Sequence, residues 1–310
     1  MAQTLRPSPT ALLNPCADPI FKILFTTESP EAHQALTCFL SDILEKTVTD
    51  VVLQPNELAG EAVGDKQSEF DINCKIDGKI ANVEMQGSNS QGDYGKRAEY
   101  HTAHVLNHYT PKGLKWQDIP QVFQISVLNF VFDPEEKNCV NYYCLRNESG
   151  RVISRTLNVI FMELPKIAKL PDDIASLTPA EIWGKFLLYA SDKDNQDFVI
   201  ELTNHNRGIA MAFTVLKNVS QDELNWYHET RYWMHVSDEL SMKEAARQDG
   251  LAEGLEKGHA SGLAEGKREK AVEAVQSFYK NRVSVEIIAK SLNMPLDEVR
   301  KIIETSGKTT

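Results

Sequence analysis

The tightest constraint on this chain lies at Asp77-Gly78, a dipeptide between two runs of alternating hydrophobicity, residues 70–76 and 80–86. Asp-Gly favours a two-residue type I′ turn, whose twist matches that of paired strands, so a β-hairpin is expected here. Such a turn fixes the register: Ile76 faces Lys79, and each further pair keeps the same sum of residue numbers. Asp71 then falls opposite Glu84. Side chains alternate between faces along a strand, so Asp71, Glu84 and Gln86 share one face while Ile72, Cys74, Val83 and Met85 take the other.

Directly opposed residues have Cβ atoms about 5 Å apart, and like charges at that distance destabilise a sheet. A divalent cation held by both carboxylates would offset the repulsion, since Mg²⁺ takes one or two carboxylates and keeps several waters. It would also polarise a phosphodiester and acidify a bound water, which is what hydrolysis of that bond requires. The alternative is a solvated sheet face on which the two acids have no joint task.

The flanking sequence reads as a mixed α/β chain. Ser29-Pro30-Glu31 starts an amphipathic helix to about residue 44, taken as the first element, and β-like residues follow at 48–53. A second helix is expected over 93–109, then strands over 121–132, 140–145 and 152–162, the first of these apolar on nearly both faces and hence central in a sheet. Residues 165–171 read as a linker, and the aromatic-rich stretch 183–189 is expected to pack back onto the sheet. From about residue 178 the pattern is helical. Glycines recur every fourth residue at Gly250, Gly254, Gly258, Gly262 and Gly266. Each interior helical glycine costs about 0.8–1 kcal/mol relative to Ala. The series therefore reads as a helical spacer, a self-association element, or a flexible low-complexity insertion. The last stretch, 283–303, reads as two short helices with balanced charge, suited to partner contact or capping more than to reading DNA.

Composition narrows the function. The net charge of −11 over 310 residues argues against a protein that coats nucleic acid, because that affinity comes from cations neutralising phosphates. DNA binding would have to be salt-sensitive or assisted by metal ions and a second subunit. Five cysteines without CxxC spacing read as buried thiols. No apolar run reaches membrane-spanning length and the first residues carry no signal-peptide pattern, so no membrane contact and a cytoplasmic location are the expectations. His101, His104 and His108 fall on one helix face with Arg97, as zinc ligands or as a polar surface. Trp226, Tyr227, Tyr232 and Trp233 read as core or interface aromatics.

Asp71 followed by Glu84-Met85-Gln86 resembles the D-x(n)-E-x-Q form of the PD-(D/E)XK nuclease signature. The chain is similar, over about residues 14–165, to the Rpn family of recombination-promoting nucleases, also described as transposases. Asp18-Pro19-Ile20-Phe21-Lys22, Asn56-Glu57, Lys66, Arg97 and Tyr100 support the resemblance, as does the glycine-repeat tail. It implies a restriction-endonuclease-like α/β fold, a mixed central sheet flanked by helices with an α-helical C-terminal region. It implies a metal-dependent DNA endonuclease, with Mg²⁺, Mn²⁺ or Ca²⁺ held by Asp71, Glu84 and the Met85 carbonyl and Glu57 completing the shell. Gln86, standing where the superfamily usually has lysine, would orient the water. Lys22 or Lys66 would supply charge, and Arg97 would meet a phosphate, with Arg97 and Tyr100 facing the sheet. Expected partners are DNA and a second copy of the chain, bound through the helical tail. The expected layout is a nuclease-like core at 1–165, a helical extension packed on it at 166–240, and the glycine-repeat helix with its cap at 241–310. The competing readings are a catalytically silent interaction protein that keeps the fold, and a transposase that also joins strands.

Overall fold

The computed structural model describes residues 6–58, 68–87 and 93–306; Lys66 lies outside them. The chain forms two compact units, Met1–Leu240 and Ser241–Thr310. From the N-terminus come α1 (Asp18–Thr26), α2 (Pro30–Leu44), β1 (Val51–Leu53), β2 (Glu57–Leu58), β3 (Ser68–Glu69), β4 (Ile72–Ile76) and β5 (Lys79–Gln86). There follow α3 (Tyr94–His108), β6 (Val122–Leu128), β7 (Val140–Arg146), β8 (Val152–Glu163), α4 (Leu164–Ile167), α5 (Pro179–Tyr189), α6 (Gln196–His205), α7 (Arg207–Val219) and α8 (Glu223–Lys280).

The hairpin has the expected register. Asp77 and Gly78 both take positive φ, 46° and 77°, as a type I′ turn demands. Ile76 pairs with Lys79 and the ladder runs out to Ile72 with Val83. The Asp77 carboxylate also accepts hydrogen bonds from the Thr49 hydroxyl (2.7 Å) and the Asp50 N–H (3.0 Å), tying β1 to the hairpin tip.

The hairpin sits inside a six-stranded mixed sheet of order β1-β4-β5-β6-β8-β7. The β5–β6 and β6–β8 pairs are parallel and the others antiparallel. Parallel neighbours need a crossover, and α3 lies in the β5–β6 connection. As its apolar pattern suggests, β6 is central and buried along its whole length.

The two sheet faces differ. Ile72, Cys74, Val83, Met85, Ile125 and Met162 join one large core with α1, α2, α5 and α7. The opposite face carries Asn73, Asn82, Glu84, Gln124 and Ser126, all buried, and α3 covers it through Tyr94, Ala98, His101, Thr102 and Val105. α3 starts where expected, with the Asp93 side chain accepting from the Lys96 N–H, and the Ser29 side chain caps α2.

Three sequence readings change. An earlier helix, α1, precedes the one expected first; only four of its nine residues, Ile20, Phe21, Leu24 and Phe25, are buried, too short a pattern to stand out. The supposed linker at 165–171 begins within α4, whose Leu164 and Ile167 are fully buried. The aromatic stretch in α5 meets α1 and α2, with the Trp183 ring 5.3 Å from Phe39 and 6.0 Å from Phe25.

In the second unit, the C-terminal part of α8 packs with α9 (Val285–Leu292) and α10 (Leu296–Ser306) around Val275, Ile288, Ala289 and Val299. The five repeat glycines are helical, not a flexible insertion, and a Cβ on any of them would meet nothing within 4 Å. No helix among the described residues is long and apolar enough to cross a membrane.

Candidate active site

Asp71 stands one residue before β4, just past the last paired position, and its Oδ2 accepts the Met85 N–H at 2.7 Å. The Asn56 amide in turn donates to the Asp71 carbonyl at 3.0 Å. A strand residue projects its N–H and C=O to the same side, so the Met85 carbonyl also points toward Asp71. Glu84 is buried on the α3-facing side. The Tyr94 hydroxyl lies 3.2 Å from Glu84 Oε2 and 3.0 Å from Ser126 Oγ. Having one proton, it donates to the carboxylate and accepts from the serine. The Gln86 amide donates to the same Oε2 at 3.4 Å, so Gln86 and Glu84 share a face as the register requires.

A third acid completes the group. Asp18, the first residue of α1, is in hydrogen-bond contact with the Asp71 side chain. Two carboxyl groups in contact repel when ionised, and the Asp18 contact therefore favours the protonated form of Asp71. Burial, helped by the Asp18 carboxyl and opposed by the Met85 N–H, pushes Asp71 up to about 9. Burial raises Glu84 to about 7, against the pull of the Arg97 guanidinium and the Tyr94 hydroxyl. Asp18 Oδ1 and Glu84 Oε1 are buried with no hydrogen-bond partner among the described residues. Acids that are raised, crowded and partly unpartnered fit a cation as the missing partner. Among the described residues no three His, Cys, Asp or Glu side chains stand as a ready-made metal cage, so binding would have to draw these carboxylates together.

The other expected residues do not all join the acids. Arg97 is close enough to act electrostatically on Glu84 and lies 6.0 Å from the Tyr94 ring centre. Glu57 is exposed and lines a shallow groove with Lys22, Thr26 and Asn56; the acid that meets Asp71 is Asp18. Tyr100 is 44% exposed and does not face the sheet. An α-helix turns about 100° per residue, which puts Tyr94 and His101 on the buried face and Tyr100 well off it. The three histidines are not equivalent: His101 is buried with its ring 5.6 Å from Phe70, His104 is half-buried and His108 is exposed. Asp18 and Tyr94 are the residues that sequence reasoning left without a role. The one local signal for Asp18 was its place at a Pro-containing helix start; for Tyr94 it was the step of four to Ala98 and seven to His101.

A mixed sheet carrying D-x(n)-E-x-Q acids at the end of a central hairpin, with helices on both faces, defines a restriction-endonuclease-like nuclease fold. The family model described as PD-(D/E)XK nuclease family transposase matches residues 15–246, three quarters of the chain, and the chain belongs to that family. No curated protein and no solved structure gives a significant match.

Proposed function

We propose that this chain is a cytoplasmic, divalent-metal-dependent DNA endonuclease that hydrolyses phosphodiester bonds and thereby promotes recombination, in a mobile-element or defence setting. The observation that carries it is the buried Glu84 Oε1 without a partner, beside Asp71, whose carboxyl is raised and in contact with Asp18. Asp71, Glu84 and the Met85 carbonyl would hold the cation, with Asp18 adding a third carboxylate. When bound, the cation supplies Lewis acidity at the phosphate and favours ionised carboxylates. Tyr94 holds one Glu84 oxygen and leaves the other to ligate. Gln86 cannot accept or deliver a proton at neutral pH, so its role is to orient the attacking water. Arg97, whose charge bears on Glu84, would meet the phosphate and the charge that develops on it.

Plasmid DNA incubated with purified protein and Mg²⁺, Mn²⁺, Ca²⁺ or EDTA tests this. Nicking or linearisation with metal, abolished by EDTA and by Asp71→Ala or Glu84→Ala, is the expected result. No cleavage under any metal would leave a catalytically silent interaction protein. Appearance of joined strands as well as breaks would extend the activity to transposition.

Self-association through the tail draws support from Leu251, Leu255 and Leu263, all more than half exposed along α8. Sedimentation should give a dimer for the wild type and a monomer for a Leu251→Glu/Leu255→Glu variant; a monomer for both would remove this part of the reading.

A further inference from the structure

One group beside the acids has no part in the hydrolysis described above: the phenol of Tyr232 on α8. Its hydroxyl rests on Gly87, the residue after Gln86, and a Cβ at Gly87 would run into that oxygen. The same hydroxyl takes a backbone hydrogen bond at Asp18, and the charges of Asp18 and Asp71 both bear on it. Burial and those charges push the phenol up to about 12, so near neutrality it is an uncharged O–H whose oxygen accepts from the Asp18 N–H.

The start of α8 is anchored where this contact needs it. Glu229, one turn before Trp233, accepts the Asn14 N–H at 2.6 Å and a hydrogen bond from the Trp233 side chain. The Ser220 hydroxyl accepts the Leu13 N–H at 3.0 Å, and the Trp226 indole donates to the Ser220 carbonyl at 2.9 Å. The Tyr232 ring stacks edge-on against Trp233, centroids 5.0 Å apart. These bonds seat α8 on the segment that leads into α1, and Tyr232 is the side chain that reaches on to the acids.

We propose that Tyr232 is a positioning residue of the hydrolytic centre: it fixes the backbone of Asp18, and with it the third carboxylate, while covering the end of β5 where Gln86 holds the water. The inference rests on the metal-dependent nuclease reading. Loss of an outer partner of a metal ligand typically lowers metal affinity or activity about 10–100-fold.

The test uses the full chain with Mn²⁺ as probe, followed by calorimetry and by the Mn²⁺ dependence of plasmid cleavage. Tyr232→Phe keeps the ring and removes the hydroxyl. It should weaken Mn²⁺ binding about 10-fold or more and shift half-saturation of cleavage equally, with the rate recovering at saturating Mn²⁺. Gly87→Ala, which displaces the hydroxyl while leaving the anchors of α8 intact, should reproduce the shift. Tyr227→Phe, on an exposed part of α8, should leave it unchanged. In an Asp18→Asn background the Tyr232→Phe effect should largely vanish, because the two act as one unit. If the wild type binds Mn²⁺ and Asp71→Asn abolishes binding, yet Tyr232→Phe and Gly87→Ala both bind as the wild type does, Tyr232 only packs and the proposal falls while the site stands. Lowered melting of Tyr232→Phe with unchanged affinity overturns it in the same way. A wild type that neither binds Mn²⁺ nor cuts DNA removes the site and the proposal together.

Discussion

Replacing Asp71 by Asn should make the metal-free protein more stable while making it inactive. Asparagine keeps an acceptor for the Met85 N–H, bonded at 2.7 Å in the wild type, and its amide can donate to Asp18, so the repulsion that raises Asp71 disappears. The folded chain holds Asp71 at about 9 and Glu84 at about 7, both above their unfolded values. Their protonation therefore contributes stability that is complete below the unfolded values and is lost as pH rises through the folded ones. Metal-free wild type should melt progressively lower from pH 5 to pH 9, and Asp71→Asn should flatten that decline. At pH 8 the variant should melt higher by roughly 3 °C or more, since 1 kcal/mol moves a unit of this size about 2–4 °C. Mg²⁺ should raise the melting temperature of the wild type and leave the variant unchanged. Cleavage should fall more than about 100-fold, beyond what loss of an outer partner causes. Scanning calorimetry across pH, with and without Mg²⁺, reads all of this; a variant less stable at pH 8 that still responds to Mg²⁺ would refute the electrostatic account of the site.

The second large effect lies away from the chemistry. Trp183 is fully buried, ringed by Phe25, Phe39 and Phe186 at 5.3–6.0 Å. Its indole donates to Asp42 Oδ2 at 2.8 Å, an oxygen that also accepts from the Asn206 amide at 2.9 Å. Trp183→Ala should destabilise the first unit by about 3–5 kcal/mol and lower its melting temperature on the order of 10 °C. Trp183→Phe restores most of the volume but leaves Asp42 one donor short, so an intermediate loss of about 1–2 kcal/mol is expected. Urea unfolding of the two variants separates these terms. Equal stability of Trp183→Ala and wild type would mean that α1, α2 and α5 do not form the layer that supports the sheet.

How much of this was legible beforehand followed from how local each interaction is. Asp77-Gly78 carries its own turn geometry, so the register, the shared face of Glu84 and Gln86, and the core face of Ile72, Cys74, Val83 and Met85 could be read from a single segment. The central position of β6 followed from its apolar run, although Gln124 and Ser126 within that run belong to the polar side under α3. Asp18 was not legible as a member of the site because its contact with Asp71 is made across the fold, between the start of a short helix and the end of a strand. Glu57, nearer in sequence, was the natural guess and is exposed instead. That Tyr94 rather than Tyr100 faces the sheet is a matter of helical phase, which counting from the Asp93 cap gives. Tyr232 could be assigned to packing from its aromatic neighbours, but nothing in the sequence around it points to Gly87 or Asp18.

The type I′ turn at Asp77-Gly78, pinned at its tip by Thr49 and Asp50, makes the distance between Asp71 and Glu84 a matter of parity. Side chains alternate, so one residue added or removed on either arm would send a carboxylate into the core and an apolar side chain out toward α3. Substitutions at outward positions such as Lys75, which is exposed, leave that parity untouched. For this stretch of the chain, length is a stricter heritable property than composition: insertions and deletions should be purged from Asp71 to Gln86 even where amino-acid changes are tolerated.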